Sequence, residues 1–256
     1  MSMSSIEMER ALKLLRLSGV RATLETRVLE SQAANLSFME TFSLVIQDEL
    51  DRRRSRLLER RFQYSGLDER ASLTEFDWGY NPKIPKRACF ELNALNFVAQ
   101  GDNAILIGPP GTGKSHVAKA VAYSAIRSGL KVLFTEADEL FSNIALATPA
   151  EKTKRLRPAL DADLLVVDDL FLARSMPQSA ADALQSLLHQ RYKLHRSSLV
   201  TSNRVIADWA TFLGDAAMAT TILDRLMHRS VLVEFQGRSY RLKEAAQRLV
   251  QADVSK

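Results

Sequence analysis

The sequence predicts an α/β protein in which a small all-helical N-terminal domain precedes a three-layer core built on a mainly parallel sheet. Two observations predict this arrangement. Residues 1 to about 65 show no strand-like alternation, whereas short apolar or β-branched runs alternate with helical stretches from about residue 70 onward. Such alternation is typical of a parallel sheet covered by helices on both faces. We therefore expect two domains, residues 1–70 and residues 71–256.

The composition is that of an ordinary globular protein. The 256 residues are 46% hydrophobic and 25% charged, with a formal net charge of +5, and no apolar run approaches the ~18 residues that cross a bilayer. Charged residues interrupt the N-terminal apolar positions, unlike those of a signal peptide. The single cysteine excludes a disulfide framework, and four histidines without a ligand cluster argue against structural zinc. We expect a soluble, cytoplasmic protein with no membrane partner.

The N-terminal domain is predicted to contain a long second helix. Gly19 follows apolar residues where a helix-terminating glycine would lie, and the capping box from Ser37 to Glu40 opens a helix that runs to about Tyr64. One stripe of this helix is apolar, and we expect it to pack on neighbouring helices; its members are Met39, Phe42, Ile46, Leu50 and Leu57. The arc beside it is basic and contains Arg52, Arg53, Arg56 and Arg60.

A loop rich in turn-forming residues, 77–85, separates the helical part from the second domain. Five strands are predicted beyond it, at Asn103–Ile107 and at residues 131–134, 164–167, 198–201 and 231–235. The clearest helices between them are Lys114–Arg127 and residues 178–194. These elements give the second domain its predicted layers.

The most informative motif is GPPGTGKS, residues 108–115, which fits the P-loop pattern and joins a predicted strand to a predicted helix. Its glycines allow a tight turn that directs N–H groups at an anion, and the helix N-terminus adds the positive end of a dipole. The predicted nucleotide-binding residues are Gly108, Pro109, Pro110, Gly111, Thr112, Gly113, Lys114, Ser115 and His116. In this pattern Lys114 reaches the β- and γ-phosphates and the Ser115 hydroxyl holds Mg²⁺. No guanine-reading motif is evident, so ATP is the expected nucleotide.

Two carboxylates and an amide follow predicted strands. Asp168 and Asp169 follow residues 164–167, and the carboxyl ends of parallel strands face the ligand crevice. We expect Asp168 to hold Mg²⁺ through water and Asp169 to polarise the attacking water. Asn203 follows residues 198–201, and its amide can position that water if the two strands are neighbours. Taken alone, an acidic pair or an asparagine after a strand is also typical of a solvated turn.

Arg225 lies on the predicted helix before the last strand. An arginine supplied by a neighbouring subunit accelerates phosphoryl transfer by about 10³- to 10⁵-fold, and Arg225 is our candidate for it in a homo-oligomer. Arg229 is the alternative. The competing interpretation of Arg225 is a surface ion pair with Asp224 or another acid.

Two basic clusters are candidates for contacts with duplex DNA. One is the arginine arc of the long helix; the other precedes residues 164–167 and contains Lys152, Lys154, Arg155 and Arg157. Contacts with phosphates give affinity without sequence information, although basic runs are also common on solvated faces. No zinc finger, stacking platform or base-reading helix is evident, so we expect DNA binding that is largely independent of sequence.

The order of GPPGTGKS, LLVVDD, TSN and ILDRL resembles the DnaC-like group of AAA+ ATPases and, more narrowly, the IstB family of transposition helper ATPases. LSGVRATLE, the long-helix sequence, WATFLGD and GRSYRLKE extend the narrower likeness over nearly the whole chain. The resemblance implies an AAA+ core, ATP-dependent self-assembly on DNA and stimulation of an IstA-type transposase. Many AAA+ enzymes have Glu at the position of Asp169, so slow hydrolysis is expected, and Arg241 is available as a second sensing arginine.

Three other functions stay open at this point. A replicative helicase loader of the DnaC type would share the same ATPase motifs. A P-loop kinase for a small molecule would share only GPPGTGKS, and the helical N-terminal domain and Asn203 argue against it. A nucleotide-gated binding module would bind ATP without turnover.

Overall fold

The computed structural model describes residues 3–145, 147–172, 177–213 and 215–254. The chain forms two compact units, Met1–Arg60 and Arg61–Lys256. The functional domains expected from the sequence, residues 1–70 and 71–256, stay a prediction. Within the described residues, no helix combines the length and the apolar character needed to span a bilayer.

The N-terminal unit is helical, as predicted. Its helices are α1 (Ser5–Leu14), α2 (Ser18–Ala34) and α3 (Phe38–Tyr64), the last of which continues into the second unit. The predicted capping box opens α3, since the Ser37 N–H donates to the Glu40 carboxylate at 2.8 Å and the Glu40 N–H donates to Ser37 Oγ at 3.3 Å.

Gly19 does not end a helix, so that prediction was wrong. It lies in the first turn of α2, where its N–H donates to Oε2 of Glu49 at 2.6 Å and the Val20 N–H reaches the same oxygen at 3.3 Å. A Cβ at position 19 would lie 2.6 Å from the Glu49 Cα. Glycine is therefore needed for the close approach of α2 to α3, and the buried Glu49 carboxylate satisfies N–H groups that have no partner within α2.

The apolar stripe of α3 is exposed, contrary to the prediction that it would pack on neighbouring helices. Its five members, Met39, Phe42, Ile46, Leu50 and Leu57, are 38% to 65% exposed. The residues of α3 that are buried are Val45 and Glu49. The side of α3 that meets α2 is therefore a different one from the apolar stripe, and it contains Glu49.

The second unit contains a five-stranded parallel sheet in the order β2-β3-β4-β1-β5. The strands are β1 (Asn103–Ile107), β2 (Val132–Glu136), β3 (Leu164–Leu170), β4 (Ser197–Ser202) and β5 (Ser230–Glu234). The described helices are α4 (Lys86–Asn93), α5 (Asn96–Gln100), α6 (Lys114–Arg127), α7 (Ala137–Ala145), α8 (Pro149–Asp161), α9 (Gln178–Lys193), α10 (Trp209–Leu213), α11 (Ala216–Met227) and α12 (Tyr240–Val254). The predicted α/β class with a parallel sheet is confirmed.

Both faces of the sheet are covered. Ile105, Leu165 and Val200 pack with residues of α7, α9 and α11 in one apolar cluster. The intervening Leu106 and Val166 are also fully buried, and α6 contacts β2, β3 and β4. Since side chains alternate between the faces of a strand, α6 covers the face opposite that cluster. This is the three-layer core.

The strand order brings the predicted site segments to one edge. Strand β4 lies between β3 and β1, and the carboxyl ends of parallel strands share an edge of the sheet. The P-loop follows β1, the two acidic residues lie in the last three positions of β3 and Asn203 follows β4. The crevice at this edge is where open α/β sheets bind ligands.

Candidate active site

The P-loop connects β1 to the N-terminus of α6 through three glycines with positive φ. Gly108, Gly111 and Gly113 have φ of +144°, +76° and +103°, values that glycine adopts readily. A Cβ at Gly108 would lie 2.1 Å from the Phe235 carbonyl oxygen, and one at Gly111 would lie 2.1 Å from Ser239 Oγ. The glycines therefore permit both the turn and the close approach of the chain that follows β5.

Lys114 is the first residue of α6 and is 3% exposed. Its ammonium donates to the carbonyl oxygens of Gly108 and Pro109, both at 2.8 Å, and to Asn203 Oδ1 at 2.7 Å. Burial lowers the pKa of Lys114 to about 8, against the opposing effect of the nearby Asp169 and Asp168 charges. A buried cation held by neutral acceptors is well suited to exchange them for an anion.

Asn203 connects Lys114 to Asp169. Its Nδ2 donates to Asp169 Oδ1 at 3.1 Å, while its Oδ1 accepts from Lys114. Burial raises the pKa of Asp169 and the Asp168 charge adds to the shift, whereas Lys114, Arg241 and the Asn203 hydrogen bond act in the opposite direction. The condition set for a role of Asn203, that the strands preceding these residues are neighbours, is met, since β3 pairs with β4.

Both acidic residues lie within β3, which extends beyond the predicted 164–167. The register with β4 shifts between Val167 and Leu170, and Asp169 has φ of +53°, a conformation that costs a non-glycine residue about 1 kcal/mol or more. Thr201 Oγ1 bridges the irregularity, because it lies 2.9 Å from the Asp169 nitrogen and 2.5 Å from Asp168 Oδ1. Sequence reasoning missed this bulge and the role of Thr201 in it.

A cavity of about 160 Å³ opens beside the P-loop, and Lys114, Ser115, Asp169, Asn203 and Arg241 are among its lining residues. A serine hydroxyl and a carboxylate at one cavity suit Mg²⁺, which is usually held by one or two carboxylates together with substrate phosphates. The carboxylate that lines this cavity is that of Asp169, whereas Asp168, the predicted metal ligand, is buried and is not among the lining residues. Within the described part of the chain, no group of three or more His, Cys, Asp or Glu residues could hold a metal ion.

Helix α12 brings Arg241 to this cavity. The Tyr240 N–H, at the start of α12, donates to the Gly111 carbonyl oxygen at 2.8 Å. Arg241, which the sequence offered only as an available arginine, thus lines the same cavity as Lys114. The site therefore includes a second cation from the chain that follows β5.

An adjoining cavity of about 150 Å³ shares Gly113, His116 and Tyr240 with the first. It is also lined by Thr112 and by residues of the segment before α4, namely Glu75, Phe76, Asp77, Tyr80, Asn81 and Ile84. The Phe76 ring lies 5.5 Å from that of His116, measured between centroids. The loop that the sequence identified only as a domain boundary therefore forms a wall of the site.

Asn81 holds this wall in place. Its Nδ2 donates to the Arg238 carbonyl oxygen at 2.7 Å, and its Oδ1 accepts from the Arg238 N–H at 2.9 Å. The Tyr80 hydroxyl donates to the Ser239 carbonyl oxygen at 3.1 Å. The segment before α4 and the chain leading to α12 are thus fastened to each other beside the P-loop.

Arg225, on α11, lines neither of these cavities. Its Nε donates to His189 Nδ1 and its Nη1 to the Thr221 carbonyl oxygen, both at 2.9 Å. Among the residues described, no carboxylate forms an ion pair with Arg225, so the alternative interpretation of a pair with Asp224 was wrong. Arg229 is exposed and has φ of +56°.

The basic clusters present most of their side chains to solvent. Arg52, Arg53, Arg56 and Arg60 are exposed, and Arg53 Nε is 2.7 Å from Glu49 Oε1. On α8, Lys154, Arg155 and Arg157 are exposed and Lys152 is half-buried, while Leu156 and Ala159 are buried. Contact with DNA at these residues stays a prediction.

Comparison with known proteins identifies a family and relatives that the chain resembles over most of its length. The family profile described as IstB-like ATP binding protein matches residues 10–248. A Pseudomonas aeruginosa protein, named as an ATP-binding protein of insertion sequence IS21, is 34% identical over 239 residues, or 93% of this chain and 89% of its own length.

Solved structures share the fold. DnaI aligns with a TM-score of 0.54 and 22% identity over 66% of this chain and 90% of its own. The replication initiator DnaA, bound to AMPPCP and single-stranded DNA, aligns with a TM-score of 0.55 and 20% identity over 73% of this chain; the alignment spans 56% of that DnaA chain. The predicted AAA+ fold is confirmed. Because the profile covers most of its length, the chain belongs to the family of IstB-like ATP-binding proteins.

Proposed function

We propose that this protein is an ATPase that assembles on duplex DNA as a homo-oligomer and assists an IstA-type transposase. The network of Lys114, Asn203 and Asp169 carries the proposal, because it places a cation for phosphates, an amide and an acidic residue around one cavity. The relative named for insertion sequence IS21 supports the link to transposition.

Lys114 and the P-loop N–H groups bind the phosphates of ATP. To do so, the Lys114 ammonium exchanges the carbonyl oxygens of Gly108 and Pro109 for phosphate oxygens. Ser115 and, through water, Asp168 would hold Mg²⁺, which would neutralise charge on the β- and γ-phosphates. The arginine at position 241 adds a second positive charge at the same cavity.

The adjoining cavity takes the adenine base. Its wall includes the Phe76 ring and the apolar Ile84, and its shared boundary with the phosphate cavity is formed by Gly113, His116 and Tyr240. Aromatic and aliphatic walls suit a flat purine ring. Phe76→Ala is expected to weaken binding of ATP more than binding of inorganic triphosphate, and equal weakening of both would contradict this assignment.

Asp169 acts as the base that polarises the attacking water. Burial raises its pKa, which makes its carboxylate a better proton acceptor, and the Asn203 amide keeps it oriented. The shorter side chain of Asp compared with Glu is consistent with slow turnover. Arg225 of the neighbouring subunit stabilises charge on the transferred phosphoryl group.

The basic residues of α3 and α8 bind DNA phosphates. Most of these arginines and lysines are exposed. Contacts between such cations and phosphates depend on charge, so they favour DNA binding that is independent of sequence. ATP bound at the P-loop links subunits through Arg225, so occupancy of the site governs how neighbouring copies assemble on the duplex.

Mixing two inactive variants tests the trans role of Arg225. Lys114→Ala loses the phosphate cation but keeps Arg225, whereas Arg225→Ala keeps its own site intact. Each variant alone is expected to lose hydrolysis on duplex DNA. An equal mixture is expected to recover part of the wild-type rate, because intact sites of Arg225→Ala subunits then meet intact arginines of Lys114→Ala subunits.

The same experiment has clear contradicting results. An Arg225→Ala protein that hydrolyses ATP normally would overturn the trans arginine, and so would a mixture that forms mixed complexes of the two variants but recovers no hydrolysis. Arg229→Ala serves as the control and is expected to keep hydrolysis.

Retention of a transposase on the immobilised protein supports the proposed partner, whereas retention of a hexameric helicase instead would favour a helicase loader.

A further inference from the structure

We infer that Thr201 is a positioning residue for the two acidic residues of β3. Its hydroxyl determines which oxygen of Asp168 is available to Mg²⁺ and holds Asp169 in the backbone conformation that directs its carboxylate into the cavity. The inference rests on the proposed ATPase function and gives a role to a residue of the TSN motif to which the sequence analysis assigned none.

The direction of the hydrogen bonds at Thr201 follows from chemistry. Thr201 is fully buried, with Oγ1 at 2.9 Å from the Asp169 nitrogen and 2.5 Å from Asp168 Oδ1. A backbone N–H can only donate, so Oγ1 accepts from Asp169 and gives its own proton to Asp168. One hydroxyl therefore connects the backbone of one acidic residue to the carboxylate of the other.

This connection lies where the β3–β4 ladder is interrupted. The register shift between Val167 and Leu170 leaves the Asp169 N–H without its regular ladder partner, and the φ of +53° at Asp169 re-aims its side chain. Ser202 bridges the next position, since its Oγ donates to the Leu170 carbonyl oxygen at 2.7 Å. Of these two bridging hydroxyls, only that of Thr201 contacts the acidic residues.

The consequence concerns metal binding. Because Thr201 donates to Oδ1 of Asp168, this hydrogen bond restricts rotation of the carboxylate and leaves Oδ2 as the oxygen free of that donor for a cation. Asp169 stays next to Asn203, whose Nδ2 donates to its Oδ1. Groups that orient metal-binding carboxylates typically change metal affinity or activity by about 10- to 100-fold when they are removed.

Variants of the two hydroxyl residues separate positioning from packing. Thr201→Val keeps the shape of the side chain but removes the hydroxyl, and Thr201→Ser keeps the hydroxyl. Ser202→Ala is the matched control, because it removes the other hydroxyl of the bulge without touching Asp168 or Asp169. Thr201→Cys, with its weak S–H donor, replaces the valine variant if that variant does not fold.

The readouts are the Mg²⁺ dependence of binding of a fluorescent ATP analogue, and kcat and KM for hydrolysis. For Thr201→Val we expect the affinity for the nucleotide in EDTA to stay close to that of the wild type. The Mg²⁺ concentration that gives half-saturation should rise about 10- to 100-fold. The value of kcat should fall by a comparable factor, with little change in KM. Thr201→Ser is expected to restore both values, and Thr201→Cys to lie between. Ser202→Ala is expected to lower the unfolding temperature while its Mg²⁺ requirement stays near wild type.

An unchanged Mg²⁺ requirement in the valine or cysteine variant would overturn the inference, as would an equal shift in Ser202→Ala. Failure of the proposed function is distinguished by measurements on the wild-type protein. A wild-type protein that binds ATP but does not hydrolyse it contradicts only the ATPase proposal, and the Mg²⁺ titration still decides the role of Thr201. A wild-type protein that binds no ATP overturns both.

Discussion

The Lys114 ammonium donates a 2.7 Å hydrogen bond to Oδ1 of Asn203, a residue that lies 89 positions further along the chain. This bond joins the first turn of α6 to the end of β4. It also fixes the orientation of the amide, because Oδ1 must face the ammonium and Nδ2 then faces Asp169, at 3.1 Å.

Asn203→Ala is expected to lower kcat for ATP hydrolysis about 100-fold, because Asp169 loses the donor that orients its carboxylate. Binding of ATP should change much less, since the P-loop and Lys114 remain. The measurement is steady-state hydrolysis together with titration of a fluorescent ATP analogue. A variant with wild-type turnover would show that Asn203 only completes the turn after β4.

Binding of ATP is expected to weaken as the pH rises through about 8. Burial holds the pKa of Lys114 at about 8 in the free protein, and bound phosphates favour the charged ammonium. The lysine is mostly protonated below that pH, so affinity is steady there; above it, binding must take up a proton, and affinity falls by up to about tenfold per pH unit.

Calorimetry in two buffers of different ionisation enthalpy measures that proton uptake directly. We expect uptake to increase from pH 7 to about pH 9 in the wild type and to vanish in Lys114→Arg, whose guanidinium stays charged. Equal affinity and no uptake across this range would contradict the assignment of Lys114 to the phosphates.

Much of the fold was predictable because it follows local rules. The strand positions and the capping box at Ser37 follow from hydrophobic periodicity and from helix capping. These features depend on residues close together in the chain. The P-loop is readable for the same reason.

The rest depends on contacts between distant residues. The bulge at Asp169 is visible only when Thr201 is placed opposite it, and the Asn81 contacts with Arg238 span 157 positions. Gly19 has the local sequence of a helix end but serves a close approach to Glu49. Hydrophobic periodicity does not predict contacts between such distant residues, so the sequence analysis missed them.

Gly19→Ala is expected to destabilise the N-terminal unit by about 1–3 kcal/mol, since a Cβ there has no room. The atom that it would meet first is the Glu49 Cα, at 2.6 Å. Urea unfolding followed by far-ultraviolet circular dichroism measures the change. Gly79→Ala is the control, because its Cβ would meet only Asp77 Oδ1 at an ordinary 3.5 Å; equal midpoints for the two variants would contradict the close approach.

Arg56→Ala and Arg60→Ala are each expected to weaken binding to duplex DNA at all sequences and to reduce the slope of log affinity against log salt by about one. Arg53→Ala should have a smaller effect, because Arg53 already pairs with Glu49. Anisotropy of a labelled duplex over a range of salt concentrations measures the slope. Arg87, exposed on α4 and paired with Glu91, gives the matched control Arg87→Ala; an equal effect there would argue against a specific role for the α3 arginines.

The most direct test of the account is the mass of complexes formed on duplex DNA with and without ATP. We expect the wild type to form multi-subunit complexes on DNA only when ATP and Mg²⁺ are present, and Lys114→Ala to form none under either condition. Complexes of the same mass in the absence of nucleotide would contradict the claim that ATP at the P-loop governs assembly.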